Sequence, residues 1–238
     1  MKLAIIVLTC GREDLSKRTF ESFVKFNGMC EFAPFEVKKY HADDASETRQ
    51  NEGLARLHGF EPIASTKTRT GIQGMHELII GRVTKRCQPT HIMILENDWE
   101  SARPMPWRLI EYMMHKPDVY HLRLWHDYKH LGRATANDFK PWPHRGHRGR
   151  KDPRTVSGFV ATNWQDDLDA PEPAEIGDIH YGNPPNICRA KELRWLHENT
   201  GSEKAMIQKS GQITARTLRV KKNVFWHIGD ERTPGFRR

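Results

Sequence analysis

Short segments that are apolar nearly throughout alternate with segments that are apolar on one side only, and the alternation runs from residue 2 to residue 124. Lys2–Thr9 (KLAIIVLT) opens the series. A strand with no polar face must be covered on both sides, which is the condition of a parallel sheet between two helix layers. Phe35–His41, Phe60–Ala64, Thr90–Leu95 and Val119–Leu124 read as further strands. Between them Glu13–Phe26 carries Leu15, Phe20, Phe23 and Phe26 at roughly helical spacing. Glu47–His58 is compatible with a helix, and Ile72, Met75, Ile79 and Val83 form one helical stripe after Thr70-Gly71. Trp107–His115 reads as a helix with Pro106 at its start. Strand and helix in turn imply an α/β fold with a mostly parallel central sheet, flanked by helices and joined by right-handed crossovers.

The pattern weakens after residue 125. Trp125–Arg154 is rich in His, Arg, Gly and Pro. Thr155–Asn163 reads as a strand, Ala190–His197 and Glu203–Leu218 as helices, and Arg219–Ile228 as a late strand. The chain therefore divides into an α/β half, 1–124, and a second half, 125–238, within one domain. At 238 residues it is long enough for one sizeable core. No apolar run is long enough to cross a bilayer. The four cysteines are scattered without a CxxC pair, so a reduced, cytoplasmic protein is expected. The formal charge of +8 favours acidic partners: nucleotide phosphates, nucleic acid or an anionic surface.

Chemistry concentrates where the Thr90–Leu95 strand ends in Glu96-Asn97-Asp98. Two carboxylates two residues apart repel each other unless a cation lies between them. Hard oxygen ligands at a strand end suit Mg²⁺ or Mn²⁺, with substrate phosphates completing the shell. Ligands of open α/β sheets collect at the carboxyl ends of the strands. Taken alone, the tripeptide is equally compatible with a solvated acidic turn.

Thr9-Cys10-Gly11-Arg12, then Asp43-Asp44, then Glu96-Asn97-Asp98, then His227 occur in the order found in GT-A fold glycosyltransferases, and the chain resembles that family over nearly its whole length. The resemblance implies a Rossmann-like GT-A fold with a smaller acceptor-side region. It implies a Mn²⁺ or Mg²⁺ ion held by Asp98, Glu96 and His227, and a nucleoside-diphosphate sugar, a UDP-sugar by expectation, as donor. Glu96 stands where Asp is usual in the family. Thr9, Gly11 and Arg12 would cradle the base and ribose, with Asp43 and Asp44 on uracil or ribose hydroxyls. An equal reading makes the two Asp residues a cap for the helix beginning near Glu47. Arg69, at a helix N-terminus with Gly71 and Gly74, and Arg232 would meet phosphates, and Glu96 and Asn97 would also touch the donor. A general base would come from Glu203 or Asp178, with Glu198 in reserve. Ser202 and Glu203 also suit a helix cap and first turn.

Lys140–Arg154 is the most basic segment and interleaves Trp142 with Arg145, Arg148, Arg150 and Lys151. Cations meet phosphates and an aromatic ring stacks on a base. The expected acceptor is therefore a hydroxymethylated pyrimidine in DNA, as for a bacteriophage-type DNA glycosyltransferase. That would place the enzyme in a host cytoplasm. A surface or lipid-linked glycan is the alternative acceptor. The rival classes are a nucleotidyltransferase, which usually carries a Gly-rich basic loop after its first strand, and a non-catalytic nucleic-acid-binding protein. No oligomeric state follows from the sequence.

Overall fold

The computed structural model describes residues 1–124, 174–176 and 185–228, apart from 29, 48, 199, 201, 214 and 221–223. In chain order the elements are β1 (Lys2–Thr9), α1 (Glu13–Asn27), β2 (Glu36–Asp44), α2 (Gln50–Leu57), β3 (Glu61–Thr66), α3 (Gly71–Cys87), β4 (His91–Glu96), β5 (Trp99–Ser101) and α4 (Trp107–Met114). They continue with β6 (Val119–Arg123), β7 (Ala174–Ile176), β8 (Asn186–Arg189), α5 (Ala190–His197), α6 (Glu203–Ser210), β9 (Arg216–Val220) and β10 (Phe225–His227).

The main sheet runs β3-β2-β1-β4-β8-β6-β9-β7, and β5 pairs with β10 in a separate antiparallel ribbon. β3, β2, β1 and β4 are mutually parallel, whereas β8 runs antiparallel to both β4 and β6. The alternation of side chains along β1 explains its unbroken apolar sequence. Leu3, Ile5 and Val7 enter one core layer with Phe20 and Phe23 of α1, Ala55 of α2, and Leu109 and Ile110 of α4. Ala4, Ile6 and Leu8 enter the other with Met75, Ile79 and Val83 of α3, Leu193 and Leu196 of α5, and Met206 of α6. Each such side chain, fully buried, contributes roughly 1.5–3 kcal/mol of transfer free energy. Two apolar layers on opposite faces hold the central strands rigidly and leave only their ends open. Among the described residues no helix is long and apolar enough to cross a membrane.

The first 124 residues fold close to their expected boundaries. The later part departs from expectation. The helix expected over 203–218 stops at Ser210, and Arg216–Val220 becomes β9, paired in parallel with β6. Leu218 and Val220 bury against the sheet, so an open sheet edge outweighs local helical preference. The single strand expected over 219–228 is two, β9 and β10, in different sheets. β8, the ribbon strand β5 and the edge strand β7 are too short to stand out in the sequence. The strand expected over 155–163 lies outside the described residues.

Candidate active site

The carboxyl ends of β1, β2 and β4 lie side by side because the strands are parallel and in register: Thr9 pairs with Asp43, and Leu8 with Glu96. That register brings residues more than thirty positions apart onto one rim.

The turn after β1 is its tightest part. Gly11 (φ 62°) and Arg12 (φ 47°, ψ 58°) are both left-handed. For Arg12 this backbone costs on the order of 1 kcal/mol and survives only because neighbours hold it. Gly11 N–H donates to Ser46 Oγ at 2.7 Å. Its carbonyl accepts from Asn97 Nδ2 at 3.1 Å and Asn51 Nδ2 at 3.3 Å. Arg12 C=O accepts the first bonds of α1, from Leu15 and Ser16. The acidic first turn, Glu13 and Asp14, complements the start of that helix.

Asp43 and Asp44 are adjacent but serve different structures. Thr9 Oγ1 donates to Asp43 Oδ1 at 2.6 Å, as does Ser46 Oγ at 2.5 Å, and Ser46 N–H donates to Oδ2 at 2.9 Å. His41 Nε2 lies 2.8 Å from the Thr9 hydroxyl. Because that hydroxyl gives its proton to a carboxylate, His41 is the donor to it, which fixes the His41 tautomer. Burial pushes the His41 imidazole down to about 4, against the attraction of Asp43, so it is neutral. Thr9 is fully buried and acts as a prop for Asp43 rather than as part of the rim's surface.

Asp44 takes four donors: Thr66 Oγ1 (3.0 Å), Thr70 N–H (2.8 Å), Thr70 Oγ1 (3.0 Å) and Gly71 N–H (3.0 Å). Burial raises the Asp44 pKa, but the Thr70, Thr66 and Gly71 donors outweigh it and hold the carboxyl below its usual range. The cap expected for the helix near Glu47 is not formed: α2 has no side-chain cap, and Asp44 instead caps α3, because its strand end lies beside the start of that helix. At the position expected for a phosphate near Arg69, Gly71 and Gly74, the Gly71 N–H faces the Asp44 carboxylate. Arg69 is exposed and close enough to lower the Cys10 thiol pKa, although burial prevails and raises it.

At the end of β4, Asn97 is buried and bonded at both ends of its amide. Its Nδ2 donates to Gly11 C=O and to Ser16 Oγ at 2.9 Å, and its Oδ1 accepts from Arg12 Nη2 at 3.0 Å. Asn97 thus bolts the β4 turn to the β1 turn. Asp98 is also buried, and its Oδ2 faces Arg12 Nη2 at 3.1 Å and His227 Nε2 at 3.5 Å. The β5–β10 ribbon places that imidazole by pairing His227 with Trp99, and Ile228 N–H closes onto Asp98 C=O at 2.8 Å. The Trp99 and His227 rings lie 4.8 Å apart. Burial raises the Asp98 pKa, but the His227 hydrogen bond and the Arg12 charge overcome it, so the carboxyl sits below its usual range. Asp98 Oδ1 is buried and has no hydrogen-bond partner among the described residues.

That oxygen decides how a cation would fit. An ionised carboxylate oxygen shut away from water without a donor is costly, and a divalent ion is a partner that relieves it. Asp98 and His227 together offer one hard oxygen and one imidazole, an open site that a diphosphate and water could complete. The three-ligand set expected from the sequence is not formed. Glu96 Oε1 instead lies 3.9 Å from Nε2 of fully buried His76. Among the described residues no group of three or more His, Cys, Asp or Glu is arranged to hold a metal.

Trp142, Arg145, Arg148, Arg150, Lys151, Asp178 and Arg232 lie outside the described residues. Glu203 opens α6, but its side chain also lies outside the description. Ser202 is the cap of that helix, accepting from Ala205 N–H at 3.2 Å. The sequence reading did not single out His41, Ser46, Asn51 or Ser16. Ser46 alone had a local signal, standing three residues after Asp43. The others are recognisable only once the strands are in register.

No protein-family model matches the chain, and no curated protein does. Solved structures do. Residues 1–349 of TarS from S. aureus superpose with a TM-score of 0.57 at 16% identity, covering 95% of this chain and 60% of that one. The mannosyltransferase PcManGT from Pyrobaculum calidifontis, in complex with GDP-Man and Mn²⁺, gives 0.55 at 10% identity, covering 91% and 53%. Both are GT-A glycosyltransferases. The fold is GT-A-like. The chain spans less than two thirds of either structure. A TarS complex with UDP-GlcNAc also superposes, with a TM-score of 0.53 at 14% identity, covering 94% and 58%. CMP:2-keto-3-deoxy-manno-octonic acid synthetase, complexed with CTP, gives 0.51 at 11% identity, covering 92% and 90%.

Proposed function

We propose that the chain is a glycosyltransferase that moves a sugar from a nucleoside-diphosphate sugar, a UDP-sugar by preference, to a hydroxyl acceptor. The observation carrying this reading is the meeting of Asp98 and His227, 129 positions apart, on one rim beside the buried unpartnered Oδ1. In this reading Asp98 and His227 hold a Mn²⁺ or Mg²⁺ ion. Such an ion neutralises the negative charge that grows on a departing diphosphate. Asp43, fixed by Thr9 and Ser46, faces the nucleoside. Asn97 and the Gly11–Arg12 turn keep the base of the site rigid, so that little reorganisation accompanies the reaction. Residues 1–124 bind the donor and the remainder the acceptor, with Glu203 or Asp178 as the base that deprotonates the acceptor hydroxyl. The solved GT-A neighbours support the donor class through the UDP-GlcNAc and GDP-Man in their structures. The DNA acceptor rests on the composition of residues 140–154 alone, so the proposal stops at a hydroxyl.

Replacing Asp98 with Asn tests the reading. The variant is expected to fold, to lose Mn²⁺-dependent nucleotide binding, and to transfer sugar at least about a hundredfold more slowly. Unchanged transfer would remove Asp98 from the mechanism. Near-complete coverage of the CTP-bound synthetase favours nucleotidyl transfer as a second reading. Pyrophosphate release from a nucleoside triphosphate and a sugar, with no transfer from any nucleotide sugar, would select it.

A further inference from the structure

Asp98 has the Arg12 guanidinium and the His227 imidazole beside one oxygen and, among the described residues, no hydrogen-bond partner on the other. Arg12 Nη2 and the His227 ring face Oδ2, and Oδ1 is buried. The Arg12 side chain is 47% exposed, although the Asp98 side chain beside it is 11% exposed. Its backbone is the reverse: left-handed, and clamped through Gly11 by Ser46, Asn51 and Asn97. The guanidinium is therefore anchored at its root and open to solvent at its tip. It has room to turn without any movement of the main chain. Asn97 Oδ1 gives it a second acceptor beside Asp98, so its resting place is built rather than incidental.

We propose that Arg12 is an internal competitor for Asp98. With the donor absent, it neutralises the carboxylate and weakens the site for a divalent cation alone. When cation and nucleoside diphosphate arrive together, the diphosphate offers Arg12 a bidentate partner, and the guanidinium turns to it. Like charges repel, so an ion on Asp98 and Arg12 on the same carboxylate disfavour each other, whereas the diphosphate draws both. Cation and nucleotide then bind cooperatively, and a cation without its donor is not retained. The role differs from the cradle for base and ribose expected of Arg12, because it places the guanidinium at the diphosphate end. It rests on the reading of Asp98 as a cation ligand.

The test measures Mn²⁺ binding by the loss of the free-ion electron paramagnetic resonance signal, with and without UDP. Arg12→Gly suits the left-handed backbone, and Arg12→Gln keeps length without charge. The wild type should bind Mn²⁺ weakly alone and about tenfold more tightly with UDP. Both variants should bind Mn²⁺ alone about tenfold more tightly than the wild type, and UDP should add less. Variants that bind Mn²⁺ alone no better than the wild type would overturn the competition. So would a change in Arg12→Gly that Arg12→Gln does not share, because the cause would then be the backbone. Absence of any Mn²⁺ binding by the wild type, with or without a nucleoside diphosphate, would instead remove the cation site on which the proposal rests.

Discussion

Asp44 offers a sharp test of how the rim is built. Its carboxylate is almost wholly buried and receives four donors, two of them the N–H groups of Thr70 and Gly71 at the start of α3. In Asp44→Ala those N–H groups lose their acceptor, while the two threonine hydroxyls can turn elsewhere. Loss of a cap costs about 0.5–2 kcal/mol, and hydrogen bonds to a charged acceptor contribute about 1.5–3 kcal/mol. With the hydroxyls discounted, the change should cost about 3 kcal/mol. In Asp44→Asn one end of the amide still accepts and the other meets a donor, so about half that loss is expected. For a chain of this size, 1 kcal/mol shifts the melting temperature by about 2–4 °C, so Asp44→Ala should melt about 6–12 °C lower. Circular dichroism melts measure that, and calorimetric titration with UDP and Mn²⁺ measures the site. Nucleotide affinity, at a temperature where both proteins are folded, should change less than about threefold. The pH dependence carries a sign. The folded-state pKa is depressed, so the stabilisation is complete above the ordinary carboxylate range and fades as pH falls through it. The gap between wild type and Asp44→Asn should therefore narrow on acidification. An unchanged melting temperature with a large loss of affinity would make Asp44 a ligand contact and refute the capping argument.

Acid should weaken the fold through its buried imidazoles. Burial holds His41, His91 and His197 down to about 4 and His76 to about 3, against an ordinary value of 6.5. Between about pH 6.5 and pH 4 the unfolded chain binds protons that the folded chain refuses, so stability falls with pH, by up to about 1.4 kcal/mol per unit for each histidine. Urea midpoints at pH 7.5, 6 and 5 should decline in that order, and a flat series would contradict the burial of these rings. Ser202→Ala removes the cap of α6 and should cost about 1 kcal/mol, seen as faster amide exchange in that helix first. Exchange unchanged in α6 would mean that packing, not the cap, starts it.

The first half of the fold was legible because its signals are local and redundant. β1 is apolar on both faces, and the stripe Met75, Ile79 and Val83 has helical period. The second half was not, because β8 has four residues and β9 only five, and each is a strand by virtue of its neighbours. Arg216–Leu218 shows the conflict most clearly. Its sequence extends a helix, and its pairing beside β6 makes it a strand.

Within the site, the sequence alone determined which residue types were available and roughly where along the chain they fall: acids after β2 and β4, a glycine turn after β1, an imidazole near the end. It could not assign their partners. Tertiary structure decided that Asp44 belongs to α3, that Asn97 ties two turns together, that Glu96 faces His76, and that Asp98 meets Arg12 and His227. The reason is physical. Strand and helix periodicity arise from backbone geometry over a few residues, whereas the hydrogen bond between residues 12 and 98 forms only when β1 and β4 lie parallel and in register, which brings their end turns together.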